Sequence, residues 1–331
     1  MPTPAMRAAM AESELGDDVY GEDPTVRRLE EKAAALTGFE AALFMPSGTM
    51  TNQVAMAVHA GRGHEVIVCE GTHVYEYEPA AMAVISGLLP RILPHRHGVM
   101  DVELIEQAIH GFVHQAPTGL IVLENTHNGA GGTVLPLEHC SQVQDLAARF
   151  GLPVHLDGAR AFNAATALDV PVSRVCAGFD SVSICLSKAL GAPVGSVLAG
   201  SAAFIREARR YRKMLGGGMR QAGVLAAAAI VALDDSPQLL AGDHRRARRL
   251  ALYLAGLPGL SVDLDSVQTN IVYVGLTDAA RFADGLRQLG VLCNAMSASR
   301  IRLVTHYGVG DAEVERAEQA FSRLALEAAG A

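Results

Sequence analysis

Lys188 stands in SICLSKALGAPVGS (183–196), among small and apolar residues, in a chain that holds only three lysines (Lys32, Lys188 and Lys213) against 24 arginines. An arginine keeps its proton inside a protein, whereas a desolvated lysine can titrate near neutrality and attack a carbonyl as a free amine. A lysine kept here points to covalent chemistry. The bland alternative is a lysine that lays its stem along a helix-entry loop. Asp157, 31 positions earlier in LPVHLDGARAF, ends a strand that reads as buried. An ionised carboxylate is costly there without a positive partner, and a protonated heterocycle nitrogen would be one. Capping of the following helix explains it equally well.

FMPSGTMTNQ (44–53) runs from a strand-like stretch through Ser47, Gly48 and Thr49 into a helical pattern. Backbone donors and hydroxyls at a helix start make a phosphate cradle, although a plain cap has the same composition. Neither a Walker sequence nor a GxGxxG fingerprint is present, so nucleotide binding gains no support. LGGGMRQAG (215–223), with Arg220, reads either as a second anion-binding turn or as a hinge. His73, in GTHVYEYE, offers a flat ring to stack on a flat cofactor, and His127, in ENTHN, could orient a hydroxyl or carboxylate. Arg160 and Arg302 could each clamp an α-carboxylate bidentately or serve the fold. HRH (95–97) has metal-binding spacing, but no second ligand pair accompanies it in the sequence, so no metal is expected. Together, a phosphate cradle, a stacking ring, a carboxylate for a pyridinium nitrogen and a lysine are the parts that hold pyridoxal 5'-phosphate (PLP), bound to Lys188 as a Schiff base.

These residues need elements to position them. EVIVCE (65–70), GLIVLEN (119–125), LPVHLDG (152–158) and DSVSICLS (180–187) read as strands separated by helical stretches such as LEHCSQVQDLAARFG. That alternation predicts a mostly parallel sheet covered by helices, whose ligands bind at the carboxyl ends of the strands. Thr3-Pro4 opens a short amphipathic helix. After SPQLL (236–240) comes an Arg-rich helix, then LSVDL, NIVYVGL, a helix and IRLVTHYGV, the pattern of a smaller α+β unit. The expected division is an N-terminal segment 1–20, a cofactor-binding domain 21–236 and a C-terminal domain 237–331.

Composition bounds the partners. Half of the 331 residues are hydrophobic and only 5% aromatic, so Ala, Val, Leu and Ile must build the interior. A net charge of −8 disfavours nucleic acid and anionic membrane. The basic runs REARRYRK (206–213) and HRRARRL (244–250) read as solvated or interface faces of helices. Five cysteines without CxxC spacing fit a reducing cytoplasm. The longest apolar run, VLAAAAIVAL (224–233), is about half of what a bilayer crossing needs.

Taken in order, GDDVYGEDPTV (16–26), SGTMTNQ, ENTHNGAGGTVLPL, HLDGARAFNAA, CLSKALGAPVGS, LGGGMRQAG and RLVTHYGV resemble the low-specificity L-threonine aldolases over nearly the whole chain. The resemblance implies an α/β chain: a PLP-transferase (fold type I) large domain with a mostly parallel sheet, plus a smaller C-terminal α+β domain. It implies that Lys188 binds PLP, that Asp157 pairs with its ring nitrogen, and that His73 stacks on the ring. It places Ser47, Gly48, Thr49 and the Arg220 segment near the phosphate, Arg160 and Arg302 on the substrate carboxylate, and His127 near the β-hydroxyl. The implied assembly is a homotetramer, or a homodimer, with sites at the interface, where Tyr20, Lys213 or Arg220 reach a neighbour's cofactor. Relatives carry a segment resembling RSDTVT before the PTPAMRAAM stretch, and its serine helps hold the substrate carboxylate. Here the chain starts at Met1-Pro2. Either that start is internal or one substrate contact is missing, and an extended chain is expected to have a lower KM.

The implied reaction is retro-aldol cleavage of L-threonine, L-allo-threonine and other β-hydroxy-α-amino acids to glycine and an aldehyde. His73, His127 or water could be the base. The alternative on the same scaffold is a β-eliminating lyase, which would release ammonia and a keto acid. A non-catalytic cofactor-binding regulator is a further alternative, against which stand the acidic balance and the lack of an appended helix-turn-helix.

Overall fold

Local signals set the first helices. Thr3 accepts the Met6 N–H, with Pro4 in the first helical position, and α1 runs Pro4–Ala11. Asp23 starts α2 (Pro24–Thr37) by accepting the Thr25 and Val26 amides, each at 3.0 Å, and Gly38 ends it in the left-handed region at φ +81°. Asp23 is fully buried, and its second oxygen accepts the Gly16 and Gly223 amides at 3.2 and 2.9 Å. A Cβ at Gly223 would lie 2.5 Å from that carboxylate. The last glycine of LGGGMRQAG is thus needed for a close approach inside the fold, and the anion it meets is the chain's own.

The computed structural model describes residues 1–329. One unit comprises Met1–Gly129 and Leu135–Pro237; the other comprises Ala130–Val134 and the chain from Gln238 onward. The expected limit at 236/237 had no view of Ala130–Val134, which belongs with the C-terminal unit.

In the first unit the strands are β1 (Ala41–Met45), β2 (Glu65–Cys69), β3 (Leu89–Leu93), the short hairpin β4 (His95–Arg96) and β5 (Val99–Met100), β6 (Thr118–Glu124), β7 (Val154–Asp157), β8 (Ser181–Cys185) and β9 (Ser196–Gly200). The helices that follow α2 are α3 (Gly48–His59), α4 (His73–Glu76), α5 (Val102–Ala108), α6 (Leu137–Arg149), α7 (Ala161–Leu168), α8 (Val172–Cys176), α9 (Ala202–Met214) and α10 (Gly223–Asp235). Seven strands form one sheet in the order β1-β9-β8-β7-β6-β2-β3. The stretch from β8 to β3 is parallel, as expected, while β9 and β1 are antiparallel to their neighbours. Every residue of β2, β6, β7, β8 and β9 is buried, which is why these strands are rich in apolar and small residues on both faces. One core layer packs Met56, Val66, Val68, Leu120 and Val122; another packs Leu43, Val54, Leu198 and Phe204. Each such side chain contributes about 1.5–3 kcal/mol when fully buried.

The basic run on α9 is not all solvated. Arg212 is buried, pairs with Asp18 at 2.9 Å and donates to the Phe44 carbonyl at 2.8 Å. A guanidinium out of water requires such a partner.

The second unit has an antiparallel sheet of β10 (Ile271–Gly275), β11 (Asn294–Ser297) and β12 (Arg300–Val304), ordered β10-β12-β11, with helices α11 (Leu240–Leu254), α12 (Ala279–Gln288) and α13 (Asp311–Ala329). Leu250, Leu254, Val272, Val274, Ile301 and Phe321 anchor its core. LSVDL, expected as a strand, makes only the bridge Ser261–Gly275. Among the described residues no single helix is long and apolar enough to cross a membrane.

Candidate active site

Asp157 ends β7 and is buried. Its Oδ1 accepts the Ala159 N–H at 3.1 Å, the turn contact leading into α7, and its Oδ2 accepts Asn52 Nδ2 at 2.8 Å. The same nitrogen donates to Glu78 Oε1 at 2.9 Å, and Gln53 Nε2 donates to Glu78 Oε2 at 2.7 Å. With its amino group facing two carboxylates, Asn52 turns its oxygen to Ser183 Oγ at 2.7 Å and His155 Nε2 at 3.3 Å. An amide oxygen only accepts, so His155 carries its proton on Nε2. His155 Nδ1 must then accept from the Ser181 hydroxyl at 2.8 Å, and that hydroxyl oxygen accepts from His59 Nε2 at 2.7 Å. One set of donors satisfies the whole chain with both histidines neutral. Burial agrees with that assignment: it pushes His155 down to about 3 and His59 to about 4.

Glu124, at the end of β6, ties two loops together. Its Oε2 accepts the Thr72 hydroxyl at 2.7 Å and the His73 N–H, while its Oε1 accepts the Asn128 N–H at 2.7 Å. The loop carrying His73 and the loop carrying His127 are thereby clamped by one buried carboxylate. His73 opens the single helical turn α4, and its Nδ1 bonds Glu78 Oε1 at 2.9 Å. One ligand atom each from His73, Glu78 and Asp157 lies within 4.8 Å of the others. Burial alone would lower the His73 pKa. The Glu78 hydrogen bond and the negative charge of Asp157 outweigh it, and outweigh the opposing charge of Lys188, leaving the pKa raised. Lys188, half-buried in the turn between β8 and β9, therefore acts on the same imidazole as Asp157.

Ser47 caps α3 by accepting the Met50 N–H at 3.2 Å. A Cβ on Gly48 would come 2.6 Å from Cys185 Sγ, so glycine is what lets this helix start approach the end of β8. Thr49 follows in the first turn. A Cβ on Gly217 would collide with Met50, which places the LGGG turn against the same helix start. Gly158, after Asp157, has no room for a side chain beside the Ser183 carbonyl, 2.9 Å from its would-be Cβ. Arg160 then occupies the N-cap position of α7.

The structure thus brings Asp157, His73 and Lys188 into one electrostatic neighbourhood, with His127 on the adjoining clamped loop. Arg220 is exposed, and it pairs with Asp17 at 2.6 Å while its guanidinium lies 5.8 Å from the Tyr20 ring. Arg302 lies in β12, in the second unit.

The chain matches the family described as beta-eliminating lyase over residues 1–277. It is 44% identical over 335 residues to low-specificity L-threonine aldolase 1 of Arabidopsis thaliana, covering 98% of this chain and 94% of that one. It belongs to the low-specificity L-threonine aldolase family. Another member it resembles is the low specificity L-threonine aldolase of Escherichia coli K12, 41% identical over 312 residues, 93% of this chain and 91% of that one. The threonine aldolase of Leishmania major has the same fold, with a TM-score of 0.82 over 98% of this chain and 96% of that one, at 23% identity.

For a member of this aldolase family, sequence reasoning missed Asn52, Glu78 and Glu124. A signal for the first was present: Thr51, Asn52 and Gln53 interrupt an otherwise apolar helix pattern, and all three are buried. Buried polar side chains must bond something. Glu78 and Glu124 looked like ordinary loop and strand-end acids.

Proposed function

We propose that the chain is a PLP-dependent low-specificity L-threonine aldolase. It would cleave L-threonine, L-allo-threonine and related β-hydroxy-α-amino acids to glycine and an aldehyde. The 44% identity to a plant enzyme of that name supports the reading. The observation that carries it is the arrangement around Asn52: a buried carboxylate, Asp157, each of whose oxygens accepts from an amide donor, in the same electrostatic neighbourhood as His73 and Lys188.

These residues fit PLP. Lys188 supplies the amine that would hold the cofactor's aldehyde carbon, Asp157 the charge for its ring nitrogen, and His73 a flat face. The start of the 12-residue α3, with Ser47, Gly48 and Thr49, supplies amides and a favourable dipole for its phosphate, with the Arg220 segment assigned nearby. Bound PLP would supply the electron sink for the pair left when the Cα–Cβ bond breaks.

Arg160 and Arg302 would hold the substrate carboxylate, fixing which bond at Cα is aligned for cleavage. His73, with its raised pKa, is held toward its protonated form by Glu78 and Asp157. The role of taking the β-hydroxyl proton is assigned to His127, the residue that the family resemblance sets near the β-hydroxyl. The reaction moves one proton from the β-oxygen and returns one to Cα, releasing acetaldehyde and glycine from threonine. The test is product analysis on the purified, PLP-loaded protein: equal amounts of glycine and acetaldehyde are expected. Ammonia and a 2-keto acid instead would assign the chain to β-elimination, the chemistry named in the matched family's description.

The assembly assigned is a homotetramer, or homodimer, with sites at the interface, where Tyr20, Lys213 or Arg220 reaches a neighbour's site. The exposure of these three, 73% for Tyr20, supports it. All five cysteines are unpaired, which supports a reducing compartment such as the cytoplasm.

A further inference from the structure

Beside the proposed PLP site lies a second cluster with ligand chemistry. Cys69 is the last residue of β2, His95 comes two residues after β3, and His127 three residues after β6. These strands are neighbours in the sheet, in the order β6-β2-β3, and run parallel, so their carboxyl ends deliver three side chains to one place. One ligand atom from each of the three lies within 4.8 Å of the others, and the two imidazole centroids are 4.9 Å apart. Tetrahedral zinc, with bonds of about 2.0–2.3 Å, needs donors roughly 3.3–3.8 Å apart, within reach of small side-chain rotations.

We propose that Cys69, His95 and His127 bind a borderline-soft divalent cation of the zinc class, with a fourth position open to water. Donor type selects the ion: one sulfur and two imidazoles favour zinc or cobalt over magnesium or calcium, which require oxygen. Charge favours it as well. Glu70 and Glu124 act on both Cys69 and His95, and a metal-bound thiolate adds a third negative charge against the nearby imidazoles. Access exists at His95, which lines a surface depression with Arg96, His97 and Met100.

The metal-free cluster is closed by one residue. Gly98, at φ +85° in the turn between β4 and β5, donates its N–H to His95 Nδ1 at 2.9 Å and accepts the Cys69 thiol proton at 3.7 Å. Both contacts are incompatible with a bound ion. A thiolate has no proton to give. An imidazole that ligates through Nδ1 has lost that lone pair, and one that ligates through Nε2 carries its proton on Nδ1. Binding therefore frees the His97–Gly98 turn and releases the thiol proton to solvent. It also occupies His127. On the function proposed above, a bound ion would withdraw the base and reversibly inhibit cleavage.

Cobalt(II) titration of the PLP-loaded enzyme tests the site independently of turnover. The expected result is one equivalent bound with tetrahedral d–d bands in the red, clear of cofactor absorbance, displaced by zinc. Cys69→Ala and His95→Gln should each abolish those bands, and amide exchange at Gly98 should rise on binding in the unaltered enzyme. Absence of the bands at stoichiometric cobalt, or their persistence in both variants, would overturn the proposal. Threonine cleavage by chelator-treated enzyme reports separately on the function, so the two readings fail in different assays.

Discussion

Two regions of the first unit use the same groups in opposite surroundings. Behind Asp157, carboxylates, amides, hydroxyls and imidazoles are joined in a buried network centred on Asn52. Around Arg220, a guanidinium, the Asp17 carboxylate and the Tyr20 ring meet in the open. In the first region each partner is fixed by the chain itself, and removing one leaves others stranded out of water. In the second, water can replace any partner, so the geometry is cheap to lose. The buried region is therefore the part of the site that one chain can set alone. The exposed region is suited to contacts outside the chain.

The sharpest way to break this contrast is Asn52→Ala. It strips a hydrogen bond from Asp157, Glu78, Ser183 and His155 at once. At about 1–3 kcal/mol for each buried polar group left unsatisfied, a loss of at least about 3 kcal/mol is expected in a denaturant titration. A loss below about 1 kcal/mol would mean that the network is not closed as described.

Acid should weaken the same region. His59 and His155 have folded-state pKa values lowered to about 4 and about 3 from an ordinary 6.5. A lowered histidine contributes no penalty above the unfolded value, and stability is lost as pH falls from about 6.5 toward the folded values. From pH 6.5 to 5 each histidine should cost about 2 kcal/mol, read as a falling denaturation midpoint. His155→Gln should flatten that slope.

Glu78→Gln removes the neighbour that holds His73 up, so the His73 pKa should fall. With His127 as base, the acid limb of kcat for threonine cleavage should stay in place. A limb that moves to lower pH would transfer the base role to His73. The smallest structural effect belongs to Arg220→Ala, which should leave the melting temperature unchanged. A drop in activity without that of stability would mark Arg220 as serving a cofactor site, its own or a neighbour's, rather than the fold.

Much of this was legible in the residue order, for physical reasons. The inner parallel strands announced themselves because both faces are covered and most positions are apolar or small, with the charged residues mainly at strand ends. Lys188 stood out because arginine fills all but two of the other Lys/Arg positions, and Ser47 because a hydroxyl before an apolar helix is a cap. What escaped depends on distant partners. β3 (LPRIL) is an edge strand with a proline and a partly exposed pattern, which hides it from periodicity. Asn52 and Glu78 are separated from Asp157 by 105 and 79 positions, so no local spacing relates them. Arg212 looked like one more basic residue until Asp18 and the Phe44 carbonyl were seen around it. HRH looked like a metal motif without a second half because its companions, Cys69 and His127, come from neighbouring strands.

The central claim is that Lys188 is the covalent anchor, and the chain's three lysines make it simple to test. The measurement is borohydride reduction of the PLP-loaded protein followed by peptide mass spectrometry. A single pyridoxyl adduct on Lys188, absent from Lys188→Ala, is the predicted result. An adduct on Lys32 or Lys213, or none at all, would contradict it.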